Sequence, residues 1–538
     1  MNIRVILLSL LYGFAVLSFA IYAKKPSHEI LICYLLVALA PLLFLYLHDE
    51  NFARVSLFFS TLALTLGYSL TGDFMNGVGD IYSEWFYGML SVLRGFWEPG
   101  YSFNSVNFVF PTIFLMPTIS IVSGLNLNLV LKIIPNFIFA LIPVLVFEIY
   151  KKYASTDLAF FSSFFFLSIP ATWYMMPSVP RQEVAIFLYV LIIYLLTKMK
   201  YANTKIIALI ILFSFSVVTA HYTTAMIYII IGSPLIALST IKKTKFNMYF
   251  NSVITFLIIF WVAWYSIINY TYPFEGAIQI FRKIIDFDNL FEESGTTYAL
   301  KYGAAEYSWV VSIYLFALSC LFALVGFFYL IHKKYNLNVI LISLIAFLIP
   351  TLGYVGGVSL LRVAQTTLIF WAFVFTLGFK WLFEKLRFKN NYRTLLAIFL
   401  AFSVLVHTHT ISYLIFQSAD NPAITHKTKA QTWVNCDDYY AITFTSLFGS
   451  SNIKAISKDG YAVAISRLSK FKNDTTNITD SYFFVNRQVI EQNRLITSKW
   501  TPAGKIIIEK EFFISNELKE LIDQTKVYDS KSWIFKEN

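Results

Sequence analysis

The chain has 538 residues, of which 57% are hydrophobic, 18% aromatic and only 14% charged, with a mean hydropathy of +0.64 and a formal net charge of +11. A soluble domain carries about 25% charged residues, so the composition excludes an ordinary soluble fold. The positive balance is not a nucleic-acid signature, because many Lys and Arg sit in short loops between apolar runs, where they set membrane topology. The three cysteines, Cys33, Cys320 and Cys436, give no disulfide framework and no CxxC metal spacing.

Taken in order, apolar runs long enough to span a bilayer recur from the N-terminus to about residue 415. They predict about thirteen membrane helices, at roughly 5–22, 30–48, 55–70, 126–150, 157–170, 183–197, 206–220, 223–240, 249–268, 308–331, 337–355, 358–378 and 394–414. The first has one Arg ahead of it and no clear small-residue cleavage site, so it reads as a retained span. The run 108–124 is also apolar, but Pro111 and Pro117 interrupt it. If it does not cross, the basic loops at Lys151-Lys152, Lys198–Lys205, Lys242–Lys245, Lys333-Lys334 and Lys380–Arg393 fall on one side, the cytoplasm by the positive-inside rule. It therefore reads as interfacial or re-entrant, with Lys24-Lys25 the one pair left on the wrong side.

That parity puts the N-terminus in the cytoplasm and the outer loops 71–124 and 269–307 outside. The segments Pro177–Glu183, Ala220–Thr224 and Gly353–Gly357 join them there. Residues 415–538 change character: β-like runs at Tyr440–Phe444, Tyr482–Val485 and Lys505–Ile508 alternate with a helical pattern at 516–525. This part reads as a small α+β extracytoplasmic domain. Its Asn473-Asp474-Thr475 and Asn477-Ile478-Thr479 fit the acceptor pattern for N-glycosylation, which is common by chance. The expected fold is an all-α polytopic bundle over 1–414 followed by that domain, in a multi-pass protein of the cell membrane.

Acids are scarce, 31 Asp and Glu in all, so their grouping at one membrane boundary is informative. In Gly79-Asp80-Ile81-Tyr82-Ser83-Glu84-Trp85, Asp80 and Glu84 stand four apart and share a face if the stretch is helical. Asp73 precedes them and Glu98 follows. Asp80 has the chemistry of a general base for an acceptor hydroxyl or amide, with Trp85, Phe86 and Tyr87 at hand to desolvate it. The plain alternative is a pair of solvated loop acids or first-turn acids favoured by the helix dipole.

Arg181, after two prolines, and Arg362, just inside a span, sit where arginine is rare and suited to bidentate phosphate binding. Interfacial snorkelling is the alternative for Arg181 and an Arg–Glu strut for Arg362. His221, where a span meets the outer surface, can hydrogen-bond a phosphate or a sugar hydroxyl, or serve the fold alone. Tyr82, Glu183 and Tyr222 complete the candidate substrate-contacting set. His407 and His409 form a weak metal pair with no third ligand, so no cofactor is assigned, and a divalent metal stays an open alternative that no motif supports.

This arrangement resembles the C-type (GT-C fold) membrane glycosyltransferases: an acidic first large outer loop, a proline-bounded apolar segment after it, about thirteen helices and an outer C-terminal domain. The stretches Pro180-Arg181-Gln182-Glu183, Ala220-His221-Tyr222-Thr223, Arg362 and the closing Val527–Ser530 with Ile534-Phe535 are similar to largely archaeal members of that superfamily. The resemblance implies a sugar donor carried on polyprenyl phosphate or diphosphate. It also implies a first-loop acid, here Asp80 with Glu84 as a second, acting on a glycan, lipid or protein acceptor. The loop lacks a compact D-x-D and the tail lacks a W-W-D-type motif, which counts against whole-glycan transfer to protein and against a metal requirement. A transporter or flippase of lipid-linked glycans would use the same cations, but it needs polar groups along its path, and the spans carry few charges.

Overall fold

The computed structural model describes the backbone of residues 3–22, 29–70, 80–97, 108–198, 204–239, 245–267, 307–335, 337–355, 360–388 and 391–416, and of six short segments between 453 and 536. The side chains of Asp80, Tyr82 and Arg362 lie outside the described residues. So do Asp73, Glu98, nearly all of loop 269–307, the run 440–444, the acceptor sequences at 473–479 and the helix expected at 516–525.

The helical part opens with α1 (Ile3–Tyr22), α2 (Glu29–Leu47) and α3 (Glu50–Ser69). Asp49 starts α3 as an N-cap, its carboxylate accepting from the amides of Asn51 and Phe52 at 2.8 and 3.0 Å. After α4 (Asp80–Arg94), a π-helical turn at Pro111–Leu115 runs into α5 (Met116–Ser123), which ends at Gly124 with φ 71°. Then come α6 (Leu127–Ala140), α7 (Ile142–Tyr150), α8 (Thr156–Ser168), the short α9 (Pro170–Tyr174), α10 (Pro180–Lys198), α11 (Thr204–Ala220), α12 (Tyr222–Ser239) and α13 (Lys245–Ile267). The helical part closes with α14 (Tyr307–His332), α15 (Leu337–Val355), α16 (Leu360–Lys385), α17 (Tyr392–His407) and α18 (Thr410–Phe416).

Six helical stretches are long and apolar enough to cross a membrane among the described residues: Val5–Tyr22, Glu29–Leu47, Leu127–Tyr150, Pro180–Lys198, Val311–His332 and Val363–Lys385. The chain is a multi-pass membrane protein. Thr156–Ser168 with Pro170–Ser178 makes a seventh if a bend of 52° is allowed within one span. The helix expected at 157–170 is α8, which stops at Ser168, and the short α9 follows it after a break. Ile169 is extended (φ −80°, ψ 156°) because the residue before a proline is driven out of the α region. The run expected at 126–150 is one of the six long stretches, with only a turn at Leu141, still in the α region, between α6 and α7. Other expected spans coincide with shorter apolar helices such as Thr204–Ala220 and Tyr392–His407.

Charges gather where α2, α7 and α16 end and α3, α8 and α17 begin. Arg54 donates to Glu148 at 2.8 Å and to Glu50 at 3.1 Å, and Lys151 also reaches Glu50. The hydrogen bond from Lys151 holds the Glu50 carboxyl below the usual carboxylate range. Asp157 joins His48 at 3.4 Å and Arg393 at 2.9 Å. At the far end of α3, Ser69 accepts from Asn136 of α6 at 2.9 Å, so α3 runs antiparallel to α6 and α7. The starts of α4, α10 and α16 lie toward that far end, the one the site occupies.

The core between these ends is aromatic. Phe165 stacks on Phe375 at 3.9 Å and Phe44 on Phe160 at 4.0 Å, while Trp371 meets Phe165, Phe316 and Phe347 edge-on. In the C-terminal part, β1 (Ile453–Ile456), β2 (Tyr482–Val485), β5 (Lys526–Asp529) and β6 (Trp533–Lys536) form a sheet of order β1-β2-β6-β5, parallel only between β1 and β2. β3 (Arg494–Trp500) and β4 (Ile506–Phe513) pair antiparallel, with an irregularity between Thr497 and Ser498. The expected strands at 482–485 and 505–508 fall on β2 and on the start of β4.

Helices α14 and α16 touch backbone to backbone. A Cβ at Gly378 would lie 1.8 Å from the Phe322 carbonyl oxygen, and one at Gly326 would lie 2.0 Å from that of Val374. Small residues permit such close approach, which drives helix association where lipid offers no hydrophobic gain. Gly378→Leu should therefore lower the midpoint of thermal unfolding in detergent by an amount matching at least the ~1–3 kcal/mol of an overpacked core. A melting curve equal to wild type would refute this contact.

Candidate functional site

The site is assembled by the first turns of three helices. The stretch holding the first acids is helical, so Asp80 begins α4 and Glu84 follows one turn later on the same face. Gly88 lets α4 lie on the π-turn, since a Cβ there would come within 2.9 Å of the Thr112 carbonyl oxygen. Trp85, Phe86 and Tyr87 are buried beside Glu84, which is itself fully buried.

Across from α4, the 3₁₀ turn Met176–Ser178 and Pro180 set the start of α10, proline being well suited to a first helical position. Arg181, Gln182 and Glu183 follow, all 1% exposed or less. Arg181 Nη1 lies 3.2 Å from Glu84 Oε1, an ion pair closed on both sides to solvent. Gln182 donates from Nε2 to Thr366 Oγ1 of α16 at 2.7 Å. Glu183 is within electrostatic reach of Glu84. Its two carboxylate oxygens are buried, with no hydrogen-bond partner among the described residues. Arg362 precedes Thr366 by one turn, about 6 Å of helix rise, so the backbone places it at the end of the bundle where α10 starts.

The same turn of α16 ties in the broken helix. Thr172 of α9 donates to Gln365 Oε1 at 3.5 Å, and Gln365 Nε2 donates to the Phe166 carbonyl at 3.4 Å. Trp173 Nε1 donates to the His407 carbonyl at 2.8 Å, while His407 Nδ1 donates to the Ser168 carbonyl at 2.7 Å, fixing the proton on that nitrogen. His409 sits at φ 62°, a left-handed conformation costly for a residue with a Cβ, with its ring 5.7 Å from that of Trp173. The breaks after α8 and after α17 therefore interlock. Among the described residues, no group of three or more His, Cys, Asp or Glu is arranged to hold a metal.

His221 caps α12. Its Nδ1 accepts from the Thr224 amide at 3.3 Å and from the Thr224 hydroxyl at 2.6 Å, serving as an Asn or Ser side chain would at that position. Tyr222 is half-buried. Its carbonyl accepts from Trp261 Nε1 at 3.2 Å, and its ring lies 6.0 Å from Tyr265. Tyr265 donates to the Val218 carbonyl at 2.7 Å. Of the sequence candidates, Glu84 and Arg181 are in direct contact and Glu183 is beside them. Asp80 and Arg362 are placed by backbone at the same end, and His221 and Tyr222 lie at the α11–α12 junction.

Sequence reasoning missed Lys132. It is buried in α6, in register with Asn128 and Asn136 one turn to either side, and these three are the polar residues of an otherwise apolar helix. A lysine in the middle of an apolar run is itself a signal of function. It missed Gln365 and Thr366 too, a polar step in α16 directly after Arg362.

No family model and no curated protein matches the sequence. Among solved structures, the chain is similar to the Archaeoglobus fulgidus oligosaccharyltransferase, crystallised in complex with Zn and sulfate, at 11% identity over 88% of this chain and 77% of that one. The TM-score is 0.44, a likeness too loose to fix the fold.

Removing one member of a buried ion pair strands the other charge, at about 3–5 kcal/mol, whereas replacing both by apolar groups is often near neutral. Arg181→Met and Glu84→Leu should each destabilise the protein by about 3 kcal/mol or more in chemical unfolding. The double variant should fall well short of their sum, and strict additivity would show that the two side chains do not depend on each other.

Proposed function

We propose that this protein is an inverting membrane glycosyltransferase. In this reading it takes a sugar from a polyprenyl-phosphate donor and passes it to a glycan, lipid or protein acceptor on the extracytoplasmic face. On the same reading, thirteen crossings put the two termini on opposite faces, the N-terminus in the cytoplasm by the positive-inside rule, and residues 415–538 form an outer domain after the transmembrane domain 1–414. The observation that carries the reading is the convergence of acid and cation at one end of the bundle. The Glu84–Arg181 pair fastens α4 to α10, and Gln182–Thr366 fastens α10 to α16. Asp80 begins α4, and Arg362 lies in the first turn of α16.

The division of labour follows from charge. Asp80 takes the proton of the acceptor nucleophile as it attacks the anomeric carbon. The donor's phosphate leaves from the opposite face of that carbon, which inverts its configuration. Arg362, with His221 near the same surface, meets the negative charge that grows on the departing phosphate. Glu84 serves by neutralising Arg181 and holding α4 in place, rather than by touching substrate. The lipid tail lies between helices, in contact with bilayer. Cationic side chains supply electrostatic stabilisation in these steps.

The test is transfer in liposomes, with purified protein, labelled polyprenyl-phosphate sugars and a membrane extract as acceptor source. Wild type should transfer sugar. Asp80→Asn should reduce the rate by about 10²–10⁴-fold, the usual contribution of a general base. Arg362→Ala should reduce it by about 10²–10³-fold, the usual loss on removing one electrostatic stabiliser. Full turnover by Asp80→Asn would remove the base from the mechanism. Labelled lipid crossing the bilayer without any transfer would replace the enzyme by a flippase.

A further inference from the structure

Three consecutive side chains in the first turn of α10 are withdrawn from solvent, and their circumstances differ. Arg181 meets Glu84, and Gln182 meets Thr366. Glu183 is 0% exposed, and neither of its oxygens meets a hydrogen-bond donor among the described residues. Buried polar atoms in native proteins are almost always hydrogen-bonded, so each exception calls for an explanation. A carboxyl group offers acceptor lone pairs in either protonation state. What completes it must bring donors.

The chemistry of the neighbourhood narrows the donor. Glu84 lies close enough for its charge to act on Glu183, and the charge of Arg181 is already engaged by Glu84, so this spot does not favour a further anion such as phosphate. A divalent cation needs several oxygen ligands, of which the described residues supply Glu183 and Glu84 near this spot, and a cation is one outcome of the experiment. A neutral group rich in hydroxyls suits the spot, as it donates to carboxyl oxygens and carries no charge. We propose that Glu183 accepts hydrogen bonds from ring hydroxyls of the transferred sugar and so selects its stereochemistry. The sugar then seats over the start of α10, with its phosphate turned toward the start of α16, away from the two glutamates. This inference rests on the glycosyltransferase reading, and it adds the orientation of the donor and the residue that reads it.

The experiment is a cycle between protein and substrate in the liposome assay. Polyprenyl-phosphate glucose, mannose and N-acetylglucosamine, with monodeoxy analogues of whichever is used, are given to wild type, Glu183→Gln and Glu183→Ala. Wild type should lose about two- to tenfold in kcat/KM with one deoxy analogue, the net worth of one hydrogen bond. Glu183→Ala should lose as much with the full sugar and little more with that analogue. Glu183→Gln, which keeps an acceptor oxygen, should fall between. Melting curves of both variants separate loss of contact from loss of fold. Transfer by wild type with Glu183→Ala impaired equally on every analogue overturns the contact and leaves the enzyme standing. A divalent-cation requirement that Glu183→Gln alters would also overturn it, making Glu183 a cation ligand. Absence of transfer from every donor overturns both readings.

Discussion

An ion pair sealed from water at the end of a helix bundle governs this structure. Glu84 and Arg181 are each essentially unexposed and sit 3.2 Å apart. Either charge alone would be prohibitive at that depth, so the two helices that carry them, α4 and α10, must stay together for the fold to persist. That demand helps fix the position of α4, which also packs on α5, α6 and a π-turn brought close by the absence of a side chain at Gly88. It also fixes the start of α10, from which Gln182 reaches α16 and Glu183 lies buried. The pair is thus better read as the device that shapes a site than as a reactive group within it.

The second constraint is backbone. Prolines stand at 170 and 180, and each begins a helix after a residue outside the α region: Ile169 at ψ 156° and Val179 at φ −138°, ψ 62°. The chain therefore turns twice at the far end instead of running straight through, which produces a buried ledge of short elements. His407 and Trp173 lock that ledge to the end of α17 by exchanging hydrogen bonds with backbone carbonyls. The opposite end shows the contrast. There the charges are partly exposed, arranged as a network around Glu50, Arg54, Glu148 and Lys151, and nothing in it is secluded from water. One end of the bundle is stapled by wet ion pairs and the other encloses a dry polar seam.

Much of this could be read from sequence because its causes are local. Apolar length marks the helices, and the four-residue spacing of Asp80 and Glu84 becomes a shared face as soon as the stretch is helical. What could not be read were pairings between distant segments. Nothing near Glu84 announces Arg181 as its partner, and the snorkelling alternative for Arg181 gives way to a buried ion pair only when α10 is seen beside α4. The helix expected at 157–170 runs two residues past the end of α8, and α9 beyond it goes unread, because hydropathy is blind to the conformational effect of Pro170 on Ile169. Lys132 and Asn136 went unnoticed because one basic residue barely changes the mean hydropathy of its window, although their four-residue spacing was visible. His221 had a capping role available from its place at the head of α12, but a capping acceptor and a substrate contact look alike in sequence.

The central claim is that Asp80 and Arg362 face one substrate from opposite sides. The most direct measurement is thiol cross-linking in native membranes, with Asp80→Cys and Arg362→Cys in a background lacking Cys33, Cys320 and Cys436, using bis-methanethiosulfonate reagents of graded length. A control pairs Asp80→Cys with Glu148→Cys at the other end of the bundle. The account predicts that reagents able to bridge a sugar phosphate join 80 to 362 and leave the control pair unjoined. Failure of 80 and 362 to join at any length, under conditions where each cysteine is labelled singly, would contradict it.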